Sequence, residues 1–185
     1  ALLILILAAA ATLRLAYIGQ QPAGPHHDEA ANAYDVMDVL SGRLMIFSPR
    51  PYGREMLGMY LITPLQALLG PTRLALRLPV ALAGILTIFS TYLLARELFR
   101  QEGRRMAQLM GLLAALFLTF SFWLLALNRI GFRANYVPLT EVLCFLFLFR
   151  ALRTNHLSDY ALCGLFLGLS FHTYISARFI PVMLA

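Results

Sequence analysis

Residues 74–98, LALRLPVALAGILTIFSTYLLAREL, decide the fold. A helix needs about 20 predominantly apolar residues to cross the hydrocarbon core of a bilayer, and this run is long enough. Similar runs flank it at 1–18, 107–127, 134–152 and 159–173, and a sixth starts at 178. The run 159–173 is short for a crossing, and the HTYISA segment at 172–177 extends it. Mean hydropathy is +0.73. Charged residues make up 13% of the chain, against about 25% in soluble domains. The sequence therefore predicts an all-α, polytopic transmembrane helix bundle forming one domain over 1–185. It opens on ALLILILAAAA and stops inside the apolar FIPVMLA, so it reads as a fragment whose outer spans are cut. Residues 1–11 lack the basic flank and cleavage site of a signal peptide, which favours a truncated first span.

All of the basic residues are arginine, and the net charge is +6. They are not gathered into one basic face, which argues against a nucleic-acid partner. Cys144 and Cys163 fall inside expected spans and read as packed thiols.

Between the first two spans lies an expected external loop, 19–73. Its centre is residues 24–60, GPHHDEAANAYDVMDVLSGRLMIFSPRPYGREMLGMY. It holds five of the nine carboxylates: Asp28, Glu29, Asp35, Asp38 and Glu55. Helical periodicity over 28–41 sets Ala30, Ala33, Tyr34, Met37 and Leu40 on one face and Asp28, Asn32, Asp35 and Asp38 on the other. The expectation is a helix lying on the membrane surface with its acids toward water. Ser41-Gly42 ends it, and residues 48–53 have loop chemistry. Residues 55–69, with Pro64, are too short for a span and suit a second interfacial helix.

The arginine-rich loops set the orientation. Arg96, Arg100, Arg104 and Arg105 form the densest cluster, and Arg150 and Arg153 follow the fourth span. The positive-inside rule puts both groups in the cytoplasm. The loop with the five acids then faces outward, together with 128–133 and 172–178, so the expected location is the cytoplasmic membrane with the site facing outside.

Each polar candidate has two readings. Asp28 and Glu29 suit the start of a helix as cap and dipole partner, or as a general base for an acceptor hydroxyl. His26, His27 and Asp28 form a possible metal-ligand set, although adjacent residues cannot all face one ion without ligands from elsewhere. Arg54, next to Glu55 and with Tyr52 and Tyr60 nearby, is either a snorkelling arginine paired with Glu55 or a fork for a lipid phosphate. Arg129 and Arg133 form an outward arginine pair, which runs against the positive-inside preference; they either bind an anion or snorkel at helix ends. His172 reads as a packing residue or as part of a polar pathway with Tyr174 and Arg178.

Five segments, in order and with fitting spacing, resemble the GT-C membrane glycosyltransferases of the protein O-mannosyltransferase and aminoarabinose transferase type, glycosyltransferase family 39. They are HHDEAANAYDVMDVLSGR, YGREMLGMY, LALRLPVALAGILTIFSTYLLARELF, NRIGFRANYVPL and GLSFHTYISARFIPVML. The resemblance covers nearly the whole chain and places it in the amino-terminal third of that family. It implies inverting transfer of a sugar from a polyprenyl-phosphate carrier to a protein, lipid or glycan acceptor on the outer side, with no cofactor required. Carried over residue by residue, Asp28 matches the proposed base or acceptor-positioning acid, and Arg54 stands where many members have a lysine near the carrier phosphate. Arg129 matches a basic residue of the second external loop, and Tyr174 and Arg178 match a Tyr-x-x-x-Arg turn. The segment 128–135 lacks the second acid of some members, which leaves Glu29 or Asp35 to serve or one carboxylate to suffice. Glu55, Asp35, Tyr52 and Tyr60 are expected to support the loop or the acceptor. Two rivals are a transporter of lipid-linked sugars and a metal-dependent oligosaccharyltransferase-like enzyme with Asp28 as a ligand.

Overall fold

The computed structural model describes residues 1–50 and 53–184, so Tyr52 lies outside the described residues. Among them the chain is helical and has no strand; an isolated antiparallel bridge joins Phe47 to Glu55. The helices are α1 (Leu2–Leu15), α2 (His27–Leu40), α3 (Leu57–Leu69), α4 (Arg73–Leu98), α5 (Arg104–Phe120), α6 (Phe122–Asn128), α7 (Tyr136–Thr154), α8 (Leu157–Ser170) and α9 (Ile180–Leu184). Short 3-10 turns at Arg133–Asn135 and Ile175–Phe179 lead into α7 and α9.

Helix α4 is the axis of the fold. Thr72 starts it by accepting from the Ala75 N–H through its hydroxyl, and Arg96 lies in its last turn, where the helix dipole favours a cation. It packs against α1, α3, α5 and α7. Small side chains allow these approaches: Ala107, Gly111 and Ala115 of α5 are buried at four-residue spacing, as is common where membrane helices meet. Gly84 of α4 accepts no side chain, since a Cβ there would lie 2.0 Å from Asn128 Oδ1. Ile6 and Ala10 of α1 pack with Ile88, Tyr92 and Ala115 in the central core.

Helices α4 and Arg133–Thr154 are each long and apolar enough to cross a membrane; α5 and α6 make a third if taken as one span. Helices α1, α3 and α8 are apolar but shorter. The run expected as one span at 107–127 bends by 60° at Ser121. The buried Arg14 side chain fills this break. Its guanidinium donates to the Leu118 and Thr119 carbonyls and to Asn128 Oδ1, satisfying acceptors freed at the end of α5.

The surface helix expected at 28–41 forms as α2, with the opposite face inward. Asn32, Asp35 and Asp38 are buried beside Val36 and Val39, whereas Tyr34, Met37 and Leu40 are 61%, 54% and 45% exposed. The acids can turn inward because they meet arginines there, and a buried charge is tolerated when paired and hydrogen-bonded. Val36 and Val39 pack on Met56, Met59 and Ile62 around α3 and on Leu76, so α2 and α3 lie across the amino-terminal end of α4.

Candidate active site

Helix α2 starts with a reciprocal cap made by His26, not Asp28. Nδ1 of His26 accepts from the Asp28 N–H at 3.3 Å, and Glu29 Oε2 accepts from the His26 N–H at 2.7 Å. This arrangement leaves the Asp28 carboxylate outside the cap. It lines a cavity of about 580 Å³ with Arg50, Arg54, Arg133, Phe132 and Tyr174.

Glu29, one residue on, has a different environment. It is fully buried, and Arg77 grips it with two bonds, Nε to Oε1 at 2.6 Å and Nη2 to Oε2 at 3.0 Å. The Gly131 N–H donates to Oε1 at 2.9 Å. Four donors therefore occupy the carboxylate, which ties the loop, α4 and the 128–133 turn together. Arg77 also donates to the Ile18, Pro22 and Gly24 carbonyls, fixing the chain that leads into α2. Burial pushes the Glu29 carboxyl upward, but the Arg77, His26 and Gly131 donors outweigh it and hold the group below the usual carboxylate range. Because the folded value is the lower one, the stability Glu29 contributes is present above its ordinary value of 4.5 and is lost as pH falls through the depressed one. The stability gap between wild type and Glu29→Gln should therefore be constant above pH 4.5 and close progressively as pH falls from there through the depressed value. A constant gap down to strong acid would remove Glu29 as the titrating group.

Asp35 organises the arginines. Its Oδ1 accepts from Ser48 Oγ at 2.8 Å and Arg50 Nη1 at 2.6 Å, and its Oδ2 pairs with Arg54 Nη2 at 2.7 Å. Arg50 also bonds Asp38. The Arg50 bond lowers the Asp38 pKa against the opposing effect of burial, with the Arg43 charge adding to the lowering. Arg54 donates through Nη2 to the Ala31 carbonyl at 3.2 Å, while its buried Nε has no partner among the described residues. Burial lowers its pKa against the opposing charge of Asp35, and Arg133 and Arg50 lower it further. A guanidinium still stays charged at neutral pH.

The turn between α6 and α7 sends its two arginines to different places. Arg133 lines the cavity, with its guanidinium 5.1 Å from the Tyr174 ring centroid and its Nε 3.5 Å from Glu55 Oε2. That Nε has no hydrogen-bond partner among the described residues. Arg129 reaches the carboxy-terminal end of α1, donating to the Leu13 carbonyl at 2.6 Å and the Ala16 carbonyl at 2.8 Å. Arg178 is exposed, with Nη2 3.8 Å from Glu55 Oε1, so buried Glu55 lies between Arg133 and Arg178. The Leu57 N–H donates to the His172 carbonyl at 3.2 Å, joining the 172–178 turn to the start of α3. The structure thus brings the three polar segments, 24–60, 128–133 and 172–178, together at one end of the bundle. Tyr60 acts as a clamp: its hydroxyl accepts from the Met45 N–H at 2.9 Å and donates to the Met45 carbonyl at 2.8 Å.

His26 Nδ1 is 3.4 Å from Asp28 Oδ2, and His27 Nδ1 is 4.0 Å from Asp28 Oδ1. Among the described residues no three His, Cys, Asp or Glu side chains converge in a metal-ligand arrangement. Sequence reasoning missed Arg50, Phe132 and Arg77. Arg77 carried a signal, a charge within an apolar span, which ordinarily marks a functional or paired position. Arg50 and Phe132 had no such mark.

At one end of this all-α bundle a carboxylate and several guanidinium groups line one cavity, and the family match makes the chain a GT-C membrane glycosyltransferase. The chain belongs to the dolichyl-phosphate-mannose-protein mannosyltransferase family, whose model matches residues 51–185. No curated protein and no solved structure matches it. Family membership implies a lipid-linked sugar donor and an acceptor. The matched residues include Arg54, Glu55, Arg133, Tyr174 and Arg178; Asp28, Glu29 and Asp35 precede them.

Proposed function

We propose that this domain transfers a sugar from a polyprenyl-phosphate carrier to an acceptor hydroxyl on the outer side of the cytoplasmic membrane, inverting the anomeric carbon. Asp28 takes the hydroxyl proton as the oxygen attacks. The bond from the anomeric carbon to the carrier phosphate breaks, and the phosphate leaves with the electron pair. Arg54 and Arg133 bind its oxygens, and Tyr174 holds the Arg133 guanidinium in place. One observation carries this reading: Asp28, Arg54 and Arg133 line the same cavity. Donors poised where negative charge develops are the main catalytic device for such a leaving group.

An apolar groove of about 450 Å³ begins two residues beyond Arg54, lined by Met45, Met56, Leu57 and Leu169, and suits the prenyl tail. Asp35 and Glu55 hold the arginines, and Glu29 and Arg129 brace the surrounding turns. The arginines supply the positive charge at the leaving group, so no metal is required in this reading.

Membranes carrying the full-length protein should transfer label from a polyprenyl-phosphate-sugar pool, and transfer should survive chelation by EDTA. Loss on chelation with recovery on adding manganese would move the reading to a metal-dependent enzyme. Movement of the labelled lipid across the bilayer without transfer to any acceptor would make the domain a transporter. Arg133→Gln should lower transfer about tenfold or more, the effect of losing one charge-assisted hydrogen bond. Arg129→Gln should instead lower the melting temperature and leave transfer per folded molecule unchanged. Equal transfer losses in the two variants would contradict the division of roles within this turn.

A further inference from the structure

At the far end of α4, a second cleft of about 690 Å³ opens between the end of α4, the start of α5 and the end of α7. From Arg77 to Arg96 the helix rises about 29 Å, which separates this cleft from the Asp28 cavity by roughly a hydrocarbon thickness. Five arginines line it, Arg96, Arg100, Arg104, Arg150 and Arg153, and among the described residues Glu97 is the one carboxylate in its lining.

The positive-inside preference accounts for arginines in these loops, but not for their convergence on one cleft from three helices, or for the way several are held. Arg96 lies over the Tyr92 ring at 5.3 Å, and its stem packs on α5 where a Cβ at Gly111 would come within 2.8 Å of it. Arg150 lies over Phe147 at 5.5 Å and pairs with Asp159 at 3.3 Å, and Arg153 pairs with Glu97. Arg96, Arg100 and Arg104 have no ion-pair partner among the described residues. The cleft is thus a preformed cationic site with charge to spare. A smaller apolar groove, lined by Leu98, Phe149 and Leu152, shares Glu97, Arg100 and Arg153 with it. Leu93, Ala107 and Leu146 form part of the cleft wall.

We propose that this cleft binds the phosphate-bearing headgroup of a membrane lipid on the face opposite the transfer site. The arginines take the phosphate oxygens, and the groove along Leu98, Phe149 and Leu152 takes the upper acyl chain. Basic clefts between membrane helices suit such headgroups. The apolar groove favours a lipid over a soluble phosphate ester, and this inference does not depend on the identity of the sugar-transfer residues.

The test uses full-length protein in phosphatidylcholine nanodiscs doped with phosphatidic acid, with lipid retention read by native mass spectrometry and thermal stability read in parallel. Arg104→Gln removes a cleft arginine, and Arg105→Gln removes the same charge from the neighbouring exposed position outside the cleft. The expected result is that Arg104→Gln lowers phosphatidic acid retention about tenfold and abolishes the lipid-induced rise in melting temperature, with Arg105→Gln behaving as wild type. Equal losses in the two variants would reduce the cleft to bulk charge attraction and overturn the proposal. A stabilisation of the detergent-solubilised protein by inorganic phosphate alone, equal to that by phosphatidic acid, would overturn the lipid as its occupant. Sugar transfer in Arg104→Gln is expected to persist in lipid-matched membranes.

Discussion

Asp28→Asn should lower sugar transfer by roughly 100-fold or more, the loss expected when a general base is removed, with protein level and melting temperature unchanged. The structure makes this a clean substitution. His26 provides the helix cap, so the Asp28 side chain has no capping role to lose. It is only 30% exposed and lines the cavity opposite Arg54 and Arg133. Asparagine keeps the size and a hydrogen-bonding oxygen but cannot take the acceptor proton. The loss should appear in kcat, since the donor contacts at the arginines remain. Unchanged transfer would exclude Asp28 from the chemistry; Glu29, with four donors on its oxygens, could not replace it without dismantling the loop.

Arg77→Met should be the most destabilising single change near the site. It leaves the Glu29 carboxylate buried without its partner, a situation that costs about 3–5 kcal/mol. It also frees the Ile18, Pro22 and Gly24 carbonyls that Arg77 holds. The melting temperature should fall, the 19–50 segment should become open to protease, and transfer should drop because Asp28 is the next residue along. The double variant Glu29→Gln/Arg77→Met should recover part of the stability, since a buried amide costs less than a buried charge. A single variant as stable as wild type would mean that Glu29 is not ionised in the folded protein.

The sequence showed the membrane character, the principal apolar runs and the two loop helices, because burial in lipid imposes a continuous apolar composition that needs no partner to be recognised. It also singled out three polar segments that fold to one end of the bundle. It did not show which way α2 faces. Periodicity groups Asp35 with Asn32 and Asp38, but their inward turn depends on Ser48, Arg50, Arg54 and the Gly131 carbonyl, partners 12 or more residues distant that a local pattern cannot reveal. The division of labour in NRIGFR was hidden for a similar reason. The two arginines are equivalent in spacing, yet the turn directs Arg129 to the end of α1 and Arg133 to Tyr174 and Glu55.

By itself, then, the sequence determined the solvent of this protein and the ends at which its polar chemistry collects, since hydropathy is a property of local composition. Only the tertiary structure decided which of two adjacent acids faces the cavity. Asp28 and Glu29 differ by about 100° around one helix. That rotation buries one against Arg77, 48 residues away in the sequence, and leaves the other at the cavity with Arg54 and Arg133.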